Sequence, residues 1–440
     1  MKSLGQRIIA VLIVLLILGQ MLTVAISRYN SLRENTEHAG EGVELTIWYT
    51  DAKLNDFMLE AAEDYKETTG ITVNAQLISA VDYIEAISDA TFIEEKGPDL
   101  FVAGSDLLQK ALYAGLVDDQ VKYSEAESEN IPQKAFDAAT CNGKLIGYPF
   151  YFESCFLLYN QYYTEDWPRT VDQILEYADA FDTTTTTEKV QSIFKWDVSD
   201  IFYNYFFIGN YVGLGGINGD DKAQLSLSEG KVIECLEYYQ SLNEFFAIDE
   251  ETVHNEDVIQ EFIDGKIVFT IAKTDAIARL DQAIEDGAVP EYQLETKTDE
   301  EGNEIPPREV DCFYGIGDIP NLSEDLITRG LSVTNSIVVN NYSTNRAYAN
   351  DFAHYLSYER ADRLYEQTGK VSVCKNVTAG DENWDRIMVQ YAGSVEIPKI
   401  IEMSNYWILM EIAFANIWNG ADIMDEIGNV VNQMNMQLSE

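Results

Sequence analysis

Basic residues are scarce in this chain. Of its 440 residues 29 are Lys or Arg against 75 Asp or Glu, a formal charge of −46. A field of that sign repels nucleic acid and anionic lipid surfaces and excludes both as partners. The acids are spread along the whole sequence, so they read as a solvated surface that keeps the chain soluble. Cysteine is equally thin. Cys141, Cys155, Cys235, Cys312 and Cys374 are odd in number, far apart and without Cys-x-x-Cys spacing, which speaks against a zinc site or a disulfide framework and leaves buried free thiols as the expectation. Three isolated histidines, His38, His254 and His354, give metal or triad chemistry little material. There is no Gly-x-Ser-x-Gly, no phosphate loop and no internal repeat, and Gly213-Leu-Gly-Gly is too short a signal to count. No cofactor and no metal are expected.

Apolar residues are not scarce. They make up 46% of the chain, with 12% aromatics, enough to bury a substantial core and to exclude global disorder. The length predicts about two domains. Residues 8 to 26 carry no charge between Arg7 and Arg28 and are long enough as a helix to cross a bilayer core. Lys2 and Arg7 precede the run and Ala25-Ile26-Ser27 follows it, so residues 1–27 read as a signal peptide or an uncleaved membrane anchor. Either way the body is expected outside the cytoplasm, and no Cys follows the run to carry a lipid. Residues 28–42 are polar, end in Gly40-Glu41-Gly42 and read as a linker.

The fold is expected to start there. Val43 to Tyr49 alternates as a half-buried strand; Phe57, Met58, Ala61, Ala62 and Tyr65 share one helical face up to Gly70; Ile71 to Ile78 resumes strand character. Strand, helix, strand at this spacing predicts a right-handed crossover, a parallel sheet and an α/β class. Leu100 to Ala103 reads as a short buried strand with Ser105 and Asp106 at its carboxyl end, where open α/β sheets place ligands; Asp106 equally suits a cap for a helix over 107–114. The pattern predicts helix from Asn160 to Asp182, a surface loop or edge strand at Thr183 to Thr187, and a buried helix carrying the rings of residues 198–213. It predicts a turn and strand over Gly265–Ile271, a surface loop or hairpin at Asp299–Pro307, and a final helix with Ile423, Ile427, Val430, Met434 and Leu438 on one face.

The densest signal is residues 142–160. An Asn-Gly turn leads into two aromatic-rich apolar runs, and one carboxylate, Glu153, interrupts them where the chain is least polar. Such a group either leans into solvent or faces a wet cleft where a ligand hydrogen-bonds to it. With Tyr148, Tyr151, Phe152 and Tyr159 nearby, the cleft suits a molecule offering both hydroxyls and flat apolar faces. A sugar offers both.

The order of these signals carries a resemblance. Val43-Glu-Leu-Thr-Ile-Trp-Tyr, the helix ending Tyr65-Lys-Glu-Thr-Thr-Gly-Ile-Thr-Val, Gly97-Pro-Asp-Leu-Phe, Ala114-Gly-Leu-Val-Asp, Asn142-Gly-Lys-Leu-Ile-Gly-Tyr-Pro and Leu158-Tyr-Asn follow one another as in the extracellular solute-binding proteins of ATP-driven importers. Phe262-Ile-Asp-Gly-Lys-Ile-Val-Phe-Thr-Ile and Phe313-Tyr-Gly-Ile-Gly-Asp-Ile-Pro extend it toward the tail, and within that family the chain looks most like the carbohydrate branch that includes the maltodextrin-binding proteins. The resemblance implies a two-lobed, periplasmic-binding-protein-like type II α/β fold with a hinge and a ligand cleft. Residues 43–151 plus about 322–358 would form one lobe and 152–321 plus about 359–440 the other. It implies a monomer whose partners are a small solute, a carbohydrate first, and the permease subunits of an importer. By motif position it puts a sugar-hydroxyl acceptor at Glu153, a carboxylate contact at Asp106, a cation at Lys53, an acid at Asp200, its neighbouring aromatic at Phe202 and a stacking indole at Trp407.

There are departures. Where the maltodextrin binders carry tryptophan in the first lobe this chain has Ala103, and their Thr-Ile-Asn-Gly-Pro-Trp loop reads Thr270-Ile-Ala-Lys-Thr-Asp275. The loss of two stacking platforms points away from maltose toward a smaller or more polar ligand. Asp275 adds an acid to the presumed cleft and opens a cationic alternative, a polyamine or amino sugar. A membrane-tethered sensor that reports ligand without transport is a further alternative. An enzyme is the rival from another class, a glycosidase pairing Glu153 with Asp106, but no motif pins an acid/base pair, and the expectation is a binding protein.

Overall fold

In this computed structural model the described residues are 42–439, apart from 95, 182–188, 227–229, 288–296, 299–301, 303, 306–309, 311 and 378–379. The N-terminal apolar run, nearly all of the linker and the five threonines lie outside the described residues. Among the described residues no helix is long and apolar enough to cross a membrane. They divide into two compact units, one ending at Ile78 and the other beginning at Ser79.

The first unit is a strand, a helix and a strand. Strand β1 (Glu44–Tyr49) buries alternate residues, Leu45, Ile47 and Tyr49, as its period of two requires. Helix α1 (Asn55–Thr69) buries Phe57, Met58, Ala61, Ala62 and Tyr65, the face that the sequence spacing predicts, and stops at Gly70, whose φ of 78° gives the left-handed cap. Strand β2 (Thr72–Leu77) returns parallel to β1, with Glu44 opposite Thr72 and Tyr49 opposite Leu77. Lys53 lies in this unit, exposed, in a short 3-10 turn (Ala52–Leu54) that Asp51 caps by accepting from the Lys53 N–H at 2.9 Å.

The second unit is built on eight strands: β3 (Leu100–Gly104), β4 (Tyr148–Asn160), β5 (Ser192–Phe194), β6 (Ile267–Lys273), β7 (Tyr314–Gly317), β8 (Leu331–Val339), β9 (Val371–Ser372) and β10 (Val395–Glu396). The path runs β3, β8, β4, β6, β5, with β7 and β9 also on β4 and β10 on β8. Its centre is β4, a single 13-residue strand where the sequence suggests two runs. The Asn-Gly signal before it is a tight hairpin: Asn142 and Gly143 take φ of 50° and 73° between Thr140-Cys141 and Lys144-Leu145. Residues Tyr148–Ser154 of β4 pair with β8, Cys155–Tyr159 pair with β6, and Leu157–Asn160 pair with β7. Glu153 sits where one set of partners gives way to the other.

Two predicted helices come out shorter. Helix occupies only Val171–Ala180 of the 160–182 span, because the chain turns after Asn160 and the helix starts at the Thr170 cap, whose hydroxyl accepts from the Gln173 N–H at 3.2 Å. In the ring-rich segment, α2 (Ile201–Asn204) passes into a 3-10 turn at Tyr205–Phe207. Its rings are core as predicted: Tyr203, Tyr205, Phe206 and Phe207 are buried, and Phe207 packs with Trp196 and with Tyr239, which in turn packs with Trp418. Fully burying an aromatic side chain contributes about 1.5–3 kcal/mol, so this cluster anchors the unit. Helix α3 (Tyr406–Trp418) seals it, the Trp418 indole N–H donating to Ile248 O at 2.9 Å, and α4 (Ile423–Ser439) buries Ile423, Ile427, Val430 and Met434. Lys297–Thr298 pairs antiparallel with Glu304–Ile305, the hairpin that the insert predicts. All five cysteines are free thiols, and all but Cys312 are buried.

Candidate functional site

Register builds the site. Lys273, the last residue of β6, lies opposite Cys155 on β4, which puts its ammonium near Glu153 two residues back on the same strand face. Glu153 Oε2 is 4.0 Å from Lys273 Nζ, and Glu153 Oε1 is 3.6 Å from Lys370 Nζ, brought in by the residue that precedes β9. A carboxylate thus stands between two ammonium groups, none of the three more than a third exposed. Both cations also lie over rings. Lys273 Nζ is 5.1 Å from the centre of Phe202 and 5.3 Å from that of Tyr203, and Lys370 Nζ is 4.6 Å from that of Tyr151.

Two further acids flank the pair. Asp200 caps α2 by accepting from the Phe202 N–H at 2.8 Å. Burial raises its pKa, against the pull of that N–H and of Lys273. Asp275 sits in the 3-10 turn Thr274–Ala276 that ends β6, and the buried Thr274 hydroxyl donates to Phe152 O at 3.4 Å and ties the turn to β4. Its Oδ1 is buried with no hydrogen-bond partner among the described residues. Burial depresses the Lys273 ammonium, but Asp275, Glu153 and Asp200 outweigh it and leave its pKa raised, so Lys273 stays charged through the neutral range.

A half-buried Trp407 opens α3 and meets Tyr205 and Tyr406 edge to face, with centroids 5.2 Å and 5.1 Å away. One turn on, Glu411 Oε2 accepts from the Ile201 N–H at 3.5 Å, and its pKa is raised by burial and by the nearby Asp200. Trp407 and the Asp200 cap therefore share one neighbourhood. A bacterial extracellular solute-binding protein family model matches residues 60–387. The chain belongs to that family.

Relatives give the same picture of the fold. A maltodextrin-binding protein, MdxE, of Bacillus subtilis (strain 168) is 22% identical over 325 residues, 70% of this chain and 70% of its own. The extracellular solute-binding protein of Staphylococcus aureus, solved in complex with maltose, superposes with a TM-score of 0.72 at 20% identity, covering 91% of this chain and 98% of that one. MalX of Streptococcus pneumoniae, in complex with maltopentaose, gives 0.67 at 20% identity over 89% and 99%. This chain has their mixed α/β fold. As a member of an extracellular family of binding proteins, it works outside the cytoplasm.

Of the residues that the sequence singles out in this solute-binding protein, the structure groups Glu153, Asp200, Phe202 and Asp275 around Lys273, with Trp407 beside α2. Asp106 lies in the 3-10 turn Ser105–Leu107 and does not cap the helix that follows, whose cap position is Leu107. Its side chain is exposed, yet the protein around it and the Glu396 carboxylate raise its pKa. Ser105 is fully buried and donates to Glu396 Oε1 at 2.7 Å, so it braces the end of β3 and presents no surface to a ligand. Lys53 belongs to the first unit, where it is exposed in the turn Ala52–Leu54.

Sequence reasoning missed Lys273, Lys370 and Glu396. Lys273 stands inside the loop that drew attention as a departure, but a lysine closing a buried strand looks like any surface lysine until its register is known. Glu396 is buried and accepts from Ser105 Oγ at 2.7 Å, Thr334 N at 2.7 Å, Ser332 Oγ at 2.9 Å and Thr334 Oγ1 at 3.2 Å, with Lys134 Nζ 3.4 Å away. It clamps the ends of β3, β8 and β10.

Proposed function

We propose that this protein captures a carbohydrate outside the cell and presents it to an ABC-type importer without altering it chemically. The observation that carries the reading is the group at the centre of β4, where Glu153, Asp200, Asp275, Lys273 and Lys370 alternate acid and base beside Phe202 and Trp407. A hydroxyl donates and accepts at once and suits a site that offers both kinds of partner. A polyamine offers donors alone and would meet two ammonium groups already in place, which favours a neutral polyol over a cation. The maltose and maltopentaose held by structures of the same fold support a sugar.

Glu153 marks the point where β4 passes from one set of partner strands to the other. We place the hinge there, with residues 43–151 plus about 322–358 in one lobe and 152–321 plus about 359–440 in the second. Closure of the two around a sugar buries its hydroxyls from both sides and creates the form that permease subunits recognise. The acids serve as hydrogen-bond acceptors and not as an acid/base pair, so sugars leave unchanged.

The test is a thermal-shift panel of sugars and polyamines on the full chain. A ligand that binds only the folded form raises the unfolding midpoint by mass action, about 2.7 kcal/mol at a hundredfold excess over Kd. One or more sugars should raise the midpoint while putrescine and spermidine do not. The reverse outcome sinks the carbohydrate assignment, and release of new reducing ends from an oligosaccharide would make the protein an enzyme. N-terminal sequencing of the mature protein separates an anchor, with residues 1–27 retained, from secretion, with them removed.

A further inference from the structure

The site carries a lysine without a hydrogen-bond acceptor among the described residues and, two residues on, a buried acceptor without a donor. Lys273 Nζ stands 4.0 Å from Glu153 Oε2, beyond hydrogen-bond reach, and no acceptor among the described residues takes its protons. Asp275 Oδ1, two residues on, is buried without a donor. Leaving the Asp275 oxygen dry and unpaired costs free energy, and the turn that carries it is pinned to β4 through Thr274, so it cannot swing away cheaply. The same lysines occupy ring faces. Lys273 covers Phe202 and Tyr203, and Lys370 covers Tyr151. Trp407 is the ring of this group with no cation over it among the described residues.

Resting on the carbohydrate reading, we propose that Lys273 and Asp275 are its specificity-determining pair. They grip adjacent hydroxyls of a short sugar of one or two rings, one hydroxyl accepting from Lys273 Nζ while it or its neighbour donates to Asp275 Oδ1. A linear oligosaccharide gains affinity ring by ring only if each ring finds a flat apolar face. Here ammonium groups cover Phe202, Tyr203 and Tyr151 and leave Trp407 as the open face, so one ring can stack and further rings find none. The polar pair also selects, because a buried polar group left unpaired by a sugar lacking the matching hydroxyl penalises that sugar heavily.

The experiment is isothermal titration of the full chain with α-1,4-linked glucose, β-1,4-linked glucose and β-1,4-linked xylose series of one to four rings. The best series should reach full affinity by two rings and change less than about threefold beyond. Lys273→Met and Asp275→Asn should each weaken the best sugar about tenfold or more, the loss of one buried hydrogen bond to a charged group. Among monodeoxy analogues of that sugar, one should lose as much on the wild type and nothing further on Asp275→Asn, a readout that a merely structural role would not move. Affinity that climbs about tenfold with each added ring, or variants that bind like the wild type, would overturn the pair while leaving the carbohydrate reading intact. Sugar binding absent from every series, with a polyamine bound instead, would overturn both.

Discussion

Removing the charge from Glu396 tests the clamp that holds the strand ends beneath the site. Glu396→Gln keeps shape and one oxygen, which still accepts from Ser105 Oγ and Thr334 N. On the other side the new amide donates toward Ser332 and Thr334, whose hydroxyls rotate to accept. Lys134 has no such freedom. Its ammonium, 12% exposed, loses the carboxylate 3.4 Å away and keeps the 3.1 Å bond to Ser394 O and the distant Asp137 charge. Burial already lowers the Lys134 pKa, and Glu396 is the first charge to oppose that. Stranding one member of a buried pair costs about 3–5 kcal/mol. With an unfolding entropy of about 2.1 cal/mol/K per residue, a chain of this size should lose roughly 3–5 °C in its midpoint. Lys134→Met added to Glu396→Gln removes the stranded charge and should recover part of the loss, so the two substitutions couple by ~1 kcal/mol or more. A single-variant loss below about 1 °C, or strict additivity, would refute the account of Glu396 as a clamp.

Other consequences are as direct. Trp407→Ala gives up two edge-on ring contacts worth ~0.5–1.5 kcal/mol each, so the apo midpoint should drop modestly while the sugar-induced shift vanishes; a retained shift would show that the indole is packing alone. Lys399, fully buried and donating to Asp137 O and Asn218 O, has its pKa pushed down to about 8 by burial, against an ordinary 10.5. The unfolded chain keeps that proton up to pH 10.5 while the folded chain gives it up above 8, so this residue's contribution to stability rises with pH between those values, by up to about 3 kcal/mol. Wild type should gain on Lys399→Met across pH 8–10, and a constant gap would reject the assignment. Of the five thiols, Cys312 is the one not buried, so a disulfide-exchange reagent should titrate at most one quickly in the native protein and five in denaturant; rapid native labelling of several would contradict the packing.

Much of the fold was legible because its segments carry local signals: a period, an unbroken apolar run or a turn dipeptide. The β1–α1–β2 unit and the final helix carry patterns of two or 3.6, β6 is one continuous apolar run, and the Asn142-Gly143 hairpin is a turn signal, and no neighbour disputes any of them. The span after Asn160 did not read correctly, since its apolar spacing resembles a helix while the Thr170 cap sets the start ten residues later. The candidate site was half legible. Glu153 announces itself as a charge inside an apolar strand, and the family motif carries Asp200, Phe202 and Trp407. What sequence cannot show is which side chains meet across strands: Lys273 reaches Glu153 only through the β4–β6 register, Lys370 arrives with the short β9, and Ser105 turns inward to Glu396. Those are long-range pairings with no local trace.

Protons offer a last handle on the ligand. Asp200, Glu411 and Asp106 all have raised pKa values, each chiefly through the protein packed around it, with neighbouring acids adding to it. A hydroxyl that donates to one of these carboxylates stabilises its charged form and draws the pKa back down. By linkage, binding then releases protons wherever the unbound acid is still partly protonated, and affinity must climb as pH rises through that range. Lys273 is charged on both sides of it and contributes no slope of its own. A neutral sugar should therefore bind more weakly near pH 4 than near pH 7 and level off once the acids are ionised, with proton release seen as a buffer-dependent heat in titrations at the acid end. Affinity that is flat from pH 4 to 7, or stronger in acid, would mean that these carboxylates do not accept from the ligand, and would move the binding site away from α2.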